Sequence, residues 1–151
     1  MTESSHRGVR VQRLAPGEFA IVAERGAQIT TASGGSPALL TPIELLLGAI
    51  GACTAMDVDA LTSRRAEPDE FVVAVDATKV RDEQGNHLTD IEVTFHVRFP
   101  VTESGGAAAA ILPEMVRRSH DRLCTVSRTT EIGTPITTTI ASATTPRHRT
   151  D

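Results

Sequence analysis

Two residues in this sequence stand out as able to do chemistry, the only cysteines, Cys53 and Cys124. A thiolate is a strong nucleophile, and a nearby cation or helix N-terminus lowers its pKa from about 8.5. Taken singly, each cysteine reads as a small apolar side chain in a core. Two thiols that meet in one pocket are different, because they form a redox pair. Attack on a peroxide gives a sulfenic acid, and a second thiol resolves it to a disulfide. That chemistry needs no metal and no organic cofactor, and none is expected. The rival reading is zinc. Cys53 and Asp57 are four residues apart, as are His120 and Cys124, so each pair can share a helix face and the four make a possible ligand set. Against it, Asp57 reads as a helix-end acid, and His120 sits among Arg117, Arg118, Asp121 and Arg122. His6, His87, His96 and His148 read as surface residues.

These cysteines must be positioned by helices. Residues 41–63 form the one long apolar run, and Cys53 lies inside it. Thr41 suits an N-cap, Pro42 the first helical position and Glu44 the first turn. Ile43, Leu46, Leu47, Ile50, Cys53 and Thr54 recur at helical spacing, while Leu45, Ala49, Ala52 and Ala55 fill the other face. Such a helix is apolar nearly all round and is expected to be buried. Glu44–Met56 is short for a membrane span and begins with an acid, so no membrane is expected. Gly48 and Gly51 imply close packing against the helix. Cys124 follows a second helix, opened by Gly105-Gly106 and ending near Leu123. Its apolar stripe is Ala108, Ile111, Leu112, Met115, Val116 and Ser119, with Pro113 as a kink or restart.

The remaining segments read as strands. Gly8–Leu14 and Phe19–Glu24 form a hairpin about Ala15-Pro16-Gly17-Glu18, and Gln28–Thr31 follows. Ser33–Pro37 is a loop into the first helix, which Glu67-Pro68-Asp69 breaks. Phe71–Val80 and Asp90–Phe99 pair through a turn in Arg81–Leu88. Ile91, Val93, Phe95, Val97 and Phe99 are expected to face in. Glu131–Ile140, rich in Thr and Ile, reads as a final strand. The fold class is therefore α+β, with mostly antiparallel sheet. Residues 8–141 form one domain, between a disordered 1–7 and a flexible tail, 142–151. With 151 residues and a net charge of −4 without a basic cluster, a nucleic-acid partner is disfavoured. The N-terminus has no signal-peptide pattern, and a cytoplasmic location with reduced thiols is expected. No Walker loop, dinucleotide fingerprint or nucleophile elbow is present.

The run Thr41-Pro-Ile-Glu-Leu-Leu-Leu-Gly-Ala-Ile-Gly-Ala-Cys-Thr-Ala-Met-Asp-Val58 resembles the central helix of the OsmC/Ohr family, and Leu123-Cys-Thr-Val-Ser127 resembles its second-cysteine motif. The strand and helix order is similar from about Val9 to Ile140, and the helix is most like that of the YhfA-like branch. The resemblance implies an intertwined homodimer, with antiparallel sheets around two central helices and active sites at the subunit interface. It implies reduction of organic hydroperoxides, an antioxidant role in oxidative stress, with Cys53 peroxidatic, Cys124 resolving and a dithiol as reductant. Glu44 would be the acid that holds an activating arginine, with Arg13 the first candidate and Arg10 or Arg25 behind it. Glu44 stands one residue later than the family's acid, and Thr125 replaces the usual Pro after the second cysteine. A non-catalytic ligand-binding or redox-sensing protein on the same fold is the alternative. Independently of the family, nine residues of helix separate Glu44 from Cys53 by about 13–14 Å. Glu44 can therefore act on that thiol only from a second chain.

Overall fold

The computed structural model describes residues 4–34 and 36–141. The expectation of a flexible 142–151, and the first three residues of the expected disordered terminus, lie outside the described residues. Three strands open the chain: β1 (Val9–Ala15), β2 (Glu18–Ala23) and β3 (Gln28–Ala32), paired antiparallel in the order β1-β2-β3. The β1–β2 turn places Gly17 at φ 75°, a conformation that glycine adopts without a Cβ penalty. Among the described residues, a bridge from Thr31 to Leu40 joins this meander to the chain that follows, and there the Thr31 hydroxyl donates to the Leu40 carbonyl at 2.7 Å.

Helix α1 (Pro42–Thr62) follows, with the expected start. Thr41 Oγ1 accepts from the Glu44 N–H at 3.3 Å, and Glu44 Oε2 accepts from the Thr41 N–H at 2.6 Å and from its hydroxyl at 2.8 Å. This is a capping box, which satisfies otherwise unpaired donors. The buried stripe is Ile50, Gly51, Thr54, Val58 and Thr62. Burial all round is not what the chain achieves alone: Ile43 and Leu46 are exposed and Met56 is 70 % exposed, because the chain's own elements cover one side only. The helix is also longer than the apolar stretch Glu44–Met56 on which a membrane span was set aside. At 21 residues with mean hydropathy 1.5, α1 is long and apolar enough to cross a bilayer, as the core helix of a soluble protein also can be.

Strands β4 (Glu70–Asp82) and β5 (Gly85–Arg98) form a long antiparallel hairpin whose face carries α1. The turn is tighter than expected, at 83–84, because Asp82 Oδ1 accepts from the Gln84 and Gly85 N–H groups at 2.8 and 3.0 Å. A Cβ on Gly51 would stand 2.8 Å from Val75 Cγ2, so this glycine lets helix and strand close up; Gly48 meets nothing comparable in the chain. Asp76 pairs with Glu92 but Thr78 with Thr89, which leaves one extra residue on β5 opposite Ala77, at Asp90 (φ 54°). The bulge shifts the alternation of β5 by one. Leu88 thereby joins the α1-facing side, where it lines one groove with Leu46 and Ile91.

Helix α2 (Glu103–Arg118) starts two residues before the expected Gly105-Gly106, because Thr102 Oγ1 accepts from the Gly105 N–H at 3.0 Å. It runs through Pro113, packs on α1 and passes into one π turn, Ser119–Leu123. The expected strand over Glu131–Ile140 does not form. Thr125–Glu131 is a third helix, α3, and residues 134–141 have no regular structure, with Ile136 and Ile140 exposed. No described strand lies beside this stretch, and a strand needs a partner edge. The result is an α+β chain of two antiparallel sheets and three helices.

Candidate functional site

The site lies where α1, the π turn and α3 meet. Cys53 and Asp57 are one turn apart on α1 and project from the same face. Cys124 is the N-cap of α3, and its Sγ accepts from the Ser127 N–H at 3.4 Å and lies 3.1 Å from Ser127 Oγ. The two sulfurs and a carboxylate oxygen of Asp57 all lie within 4.8 Å of one another. Both thiols are free; Cys124 is buried at 1 % exposure and Cys53 is half-buried.

A chain of hydroxyls supports the carboxylate. Ser119 Oγ donates to Asp57 Oδ2 at 2.9 Å. Ser119 has a single hydroxyl proton, so in the 2.9 Å contact between Ser119 Oγ and Thr54 Oγ1 it is Thr54 that donates. Ser119 and Thr54 are both buried. The π turn is what carries Ser119 to this position, directly before the chain closes on Cys124, whose N–H donates to the Ser119 carbonyl at 2.9 Å.

The surroundings of Cys53 push its pKa up. Burial of the thiol is the largest cause; the Val126 N–H opposes it, and Cys124 and Asp57 add to the rise. No arginine of the described chain acts on this sulfur. Arg13 lies exposed on β1 and forms no ion pair among the described residues, and Arg10 and Arg25 are exposed as well. Glu44 is engaged in the capping box, which lowers its pKa chiefly through the Thr41 N–H and then through the Thr41 hydroxyl. The chain thus brings together Cys53, Cys124 and Asp57, and leaves Glu44 and Arg13 apart from them. His120 does not join the cluster, since its Nδ1 faces Glu131 at 3.6 Å. The four-ligand zinc set read from spacing is therefore corrected to three.

Beside the thiols opens a groove of about 350 Å³. Thr54, neighbour of Cys53, and Ser127, bonded to Cys124, line it; Ile50, Ile91, Val93, Phe95 and Val116 make one wall apolar, and His120, Thr130 and Glu131 make the rest polar. Sequence reading placed Ser127 in the second-cysteine motif but gave no role to it or to Ser119. The Cys-x-x-Ser spacing of a capping residue followed by α3 was the available signal.

The sequence profile of the OsmC-like protein family matches residues 34–139, a stretch that holds both cysteines, all of α1 and the β4–β5 hairpin. The chain belongs to the OsmC-like family. Among solved structures, the OsmC-like fold recurs in a hypothetical protein from Aquifex aeolicus VF5, at 21 % identity and TM-score 0.68 over 87 % of this chain and 91 % of that one. An OsmC-like protein from Mycoplasma pneumoniae matches at 13 % identity and TM-score 0.67, covering 85 % and 89 %. A Legionella pneumophila protein, described as an organic hydroperoxide resistance protein OsmC and predicted redox protein, matches at 12 % identity and TM-score 0.55, covering 84 % and 90 %. At these identities the likeness is one of fold. Among curated proteins none matches the sequence.

Proposed function

We propose that this OsmC-like chain is a thiol-dependent peroxidase for organic hydroperoxides. The observation that carries the reading is the approach of the two sulfurs, within 4.8 Å, next to Thr54 and Ser127 of a groove with one apolar wall. In the first step the Cys53 thiolate attacks the outer peroxide oxygen. An S–O bond forms, the O–O bond breaks, and the alkoxide leaves as the alcohol after taking a proton. In the second step the Cys124 sulfur attacks the sulfenic sulfur, a disulfide forms and water departs. A dithiol reductant then returns both thiols. The apolar wall of Ile50, Ile91, Val93, Phe95 and Val116 suits a hydrocarbon group on the peroxide.

The same reading assigns the missing cation to a second copy. The uncovered side of α1 and the exposed Val9, Val11 and Leu14 of the meander support an intertwined homodimer. In it, a second copy's Arg13 would lower the pKa of Cys53, and Glu44 would hold that arginine across the interface. A cytoplasmic location, with reducing thiols at hand, fits this chemistry. The thiol pushed upward within the single chain favours one other reading, a redox-sensing or ligand-binding protein with slow thiols.

The test is consumption of cumene hydroperoxide by the wild type, Cys53→Ser and Cys124→Ser with dithiol and monothiol reductants. The expected outcome is at least a 100-fold loss in Cys53→Ser, as for removal of a nucleophile acting as a unit with its partners. Cys124→Ser should lose turnover with the dithiol and keep one stoichiometric oxidation of Cys53. Equal, negligible rates in all three proteins would overturn the peroxidase and leave the sensing reading.

A further inference from the structure

A resolving pair of thiols needs no carboxylate beside it, yet Asp57 lies within 4.8 Å of both sulfurs and is held there. Cys53 and Asp57 stand at i and i+4 on α1, the spacing that puts two ligands on one helix face. Cys124 enters from the N-cap of α3, so the three donors come from two directions. Ser119 and Thr54, both buried, fix the carboxylate through successive hydrogen bonds of 2.9 Å. Ser127 fixes the Cys124 sulfur in the same way through its N–H at 3.4 Å. Donors that are themselves held by an outer layer of hydrogen bonds are what a built metal site has.

We propose that Cys53, Asp57 and Cys124 form a binding site for a thiophilic divalent cation, of which Zn²⁺ is the best fit. Two sulfurs and one carboxylate oxygen select against Mg²⁺ and Ca²⁺, which take oxygen ligands alone. Tetrahedral zinc with Zn–S near 2.3 Å sets its two sulfurs about 3.8 Å apart. The donors already lie within 4.8 Å, so side-chain adjustment is enough. Both thiols lose their protons to solvent, and the cation gains two thiolates and a carboxylate without any change of oxidation state. The fourth position stays open for water. The half-buried Cys53 and Asp57 leave a way in. Occupation makes both sulfurs ligands, so the metal and a peroxide compete for the same thiols. The site stands on these residues whether or not the chain turns over peroxide.

The experiment uses the reduced full chain, freed of metal and kept anaerobic. Zn²⁺ is titrated in competition with a chromophoric chelator, and Co²⁺ serves as the spectroscopic probe. The expected results are one equivalent bound per chain, thiolate-to-cobalt charge-transfer bands in the near ultraviolet, and tetrahedral d–d bands in the visible. Asp57→Asn keeps both thiols and should bind at least 10-fold more weakly, Ser119→Ala about 10-fold more weakly. Cys124→Ser should abolish the two-thiolate spectrum, and His120→Ala should bind as the wild type does. Wild-type affinity in Asp57→Asn with native circular dichroism would overturn the site. So would a wild-type Co²⁺ spectrum without thiolate bands, a readout that holds even if a variant fails to fold and that does not depend on peroxidase turnover.

Discussion

Cys53 is the residue on which the proposed chemistry turns, and its own chain does not activate it. Burial, Cys124 and Asp57 raise its pKa, with only the Val126 N–H opposing. If a second copy's Arg13 supplies the counter-charge, removing that guanidinium leaves the upward push unopposed. In Arg13→Ala, alkylation of Cys53 by iodoacetamide should therefore reach half its maximal rate above the ordinary thiol value of about 8.5. In the wild type the midpoint should lie lower; coincident midpoints would remove Arg13 from the site. The sign for stability follows from the same shift. In Arg13→Ala the folded chain holds the Cys53 proton more tightly than the unfolded chain does. That contribution is complete below the unfolded pKa and is lost as pH rises through the folded one. Urea midpoints of Arg13→Ala should thus decline above about pH 8.5, with a flatter profile once Cys53 is also replaced by Ser. The two sulfurs as a pair were legible in the sequence. Ser119 as the hydroxyl that aims Asp57 was not, because a serine in an apolar stripe reads as tolerated packing until the π turn shows where it points.

At the level of elements, α1 was legible because every local signal agreed: Thr41, Pro42 and Glu44 at the start, then an apolar run without a charge until Asp57. The agreement has a measurable worth. Thr41→Ala removes the hydroxyl that accepts from the Glu44 N–H and should cost about 1 kcal/mol in urea denaturation. The hairpin was legible in type but not in its turn, since Gly85-Asn86 looked like the turn pair while the Asp82 carboxylate fixed it two residues earlier. Helix α3 was hidden for a different reason. Its sequence, Thr-Val-Ser-Arg-Thr-Thr-Glu, is rich in residues that favour strands or caps, and its helicity is set by the Cys124 cap and by packing on α1. The same composition misled the reading of 131–140, where β-branched residues met no strand edge among the described residues.

For the whole molecule, α1 is the common support: β4 lies against it through Gly51, while α2 and α3 pack on it elsewhere. What remains uncovered is large and apolar, with Ile43, Leu46 and Met56 on α1 and Val9, Val11 and Leu14 on β1 exposed. Burial at about 25 cal/mol per Å² makes such surface costly to leave in water. Sedimentation should therefore find a dimer at micromolar concentration, and Met56→Glu with Leu46→Glu should shift it toward monomer; a wild type that sediments as a monomer would set the homodimer aside. The bridge from Thr31 to Leu40 has a mechanical meaning as well. Tension applied between the two ends of an isolated chain would concentrate on that bridge, so the N-terminal meander should detach and unravel at low force while the hairpin and helices still bear load.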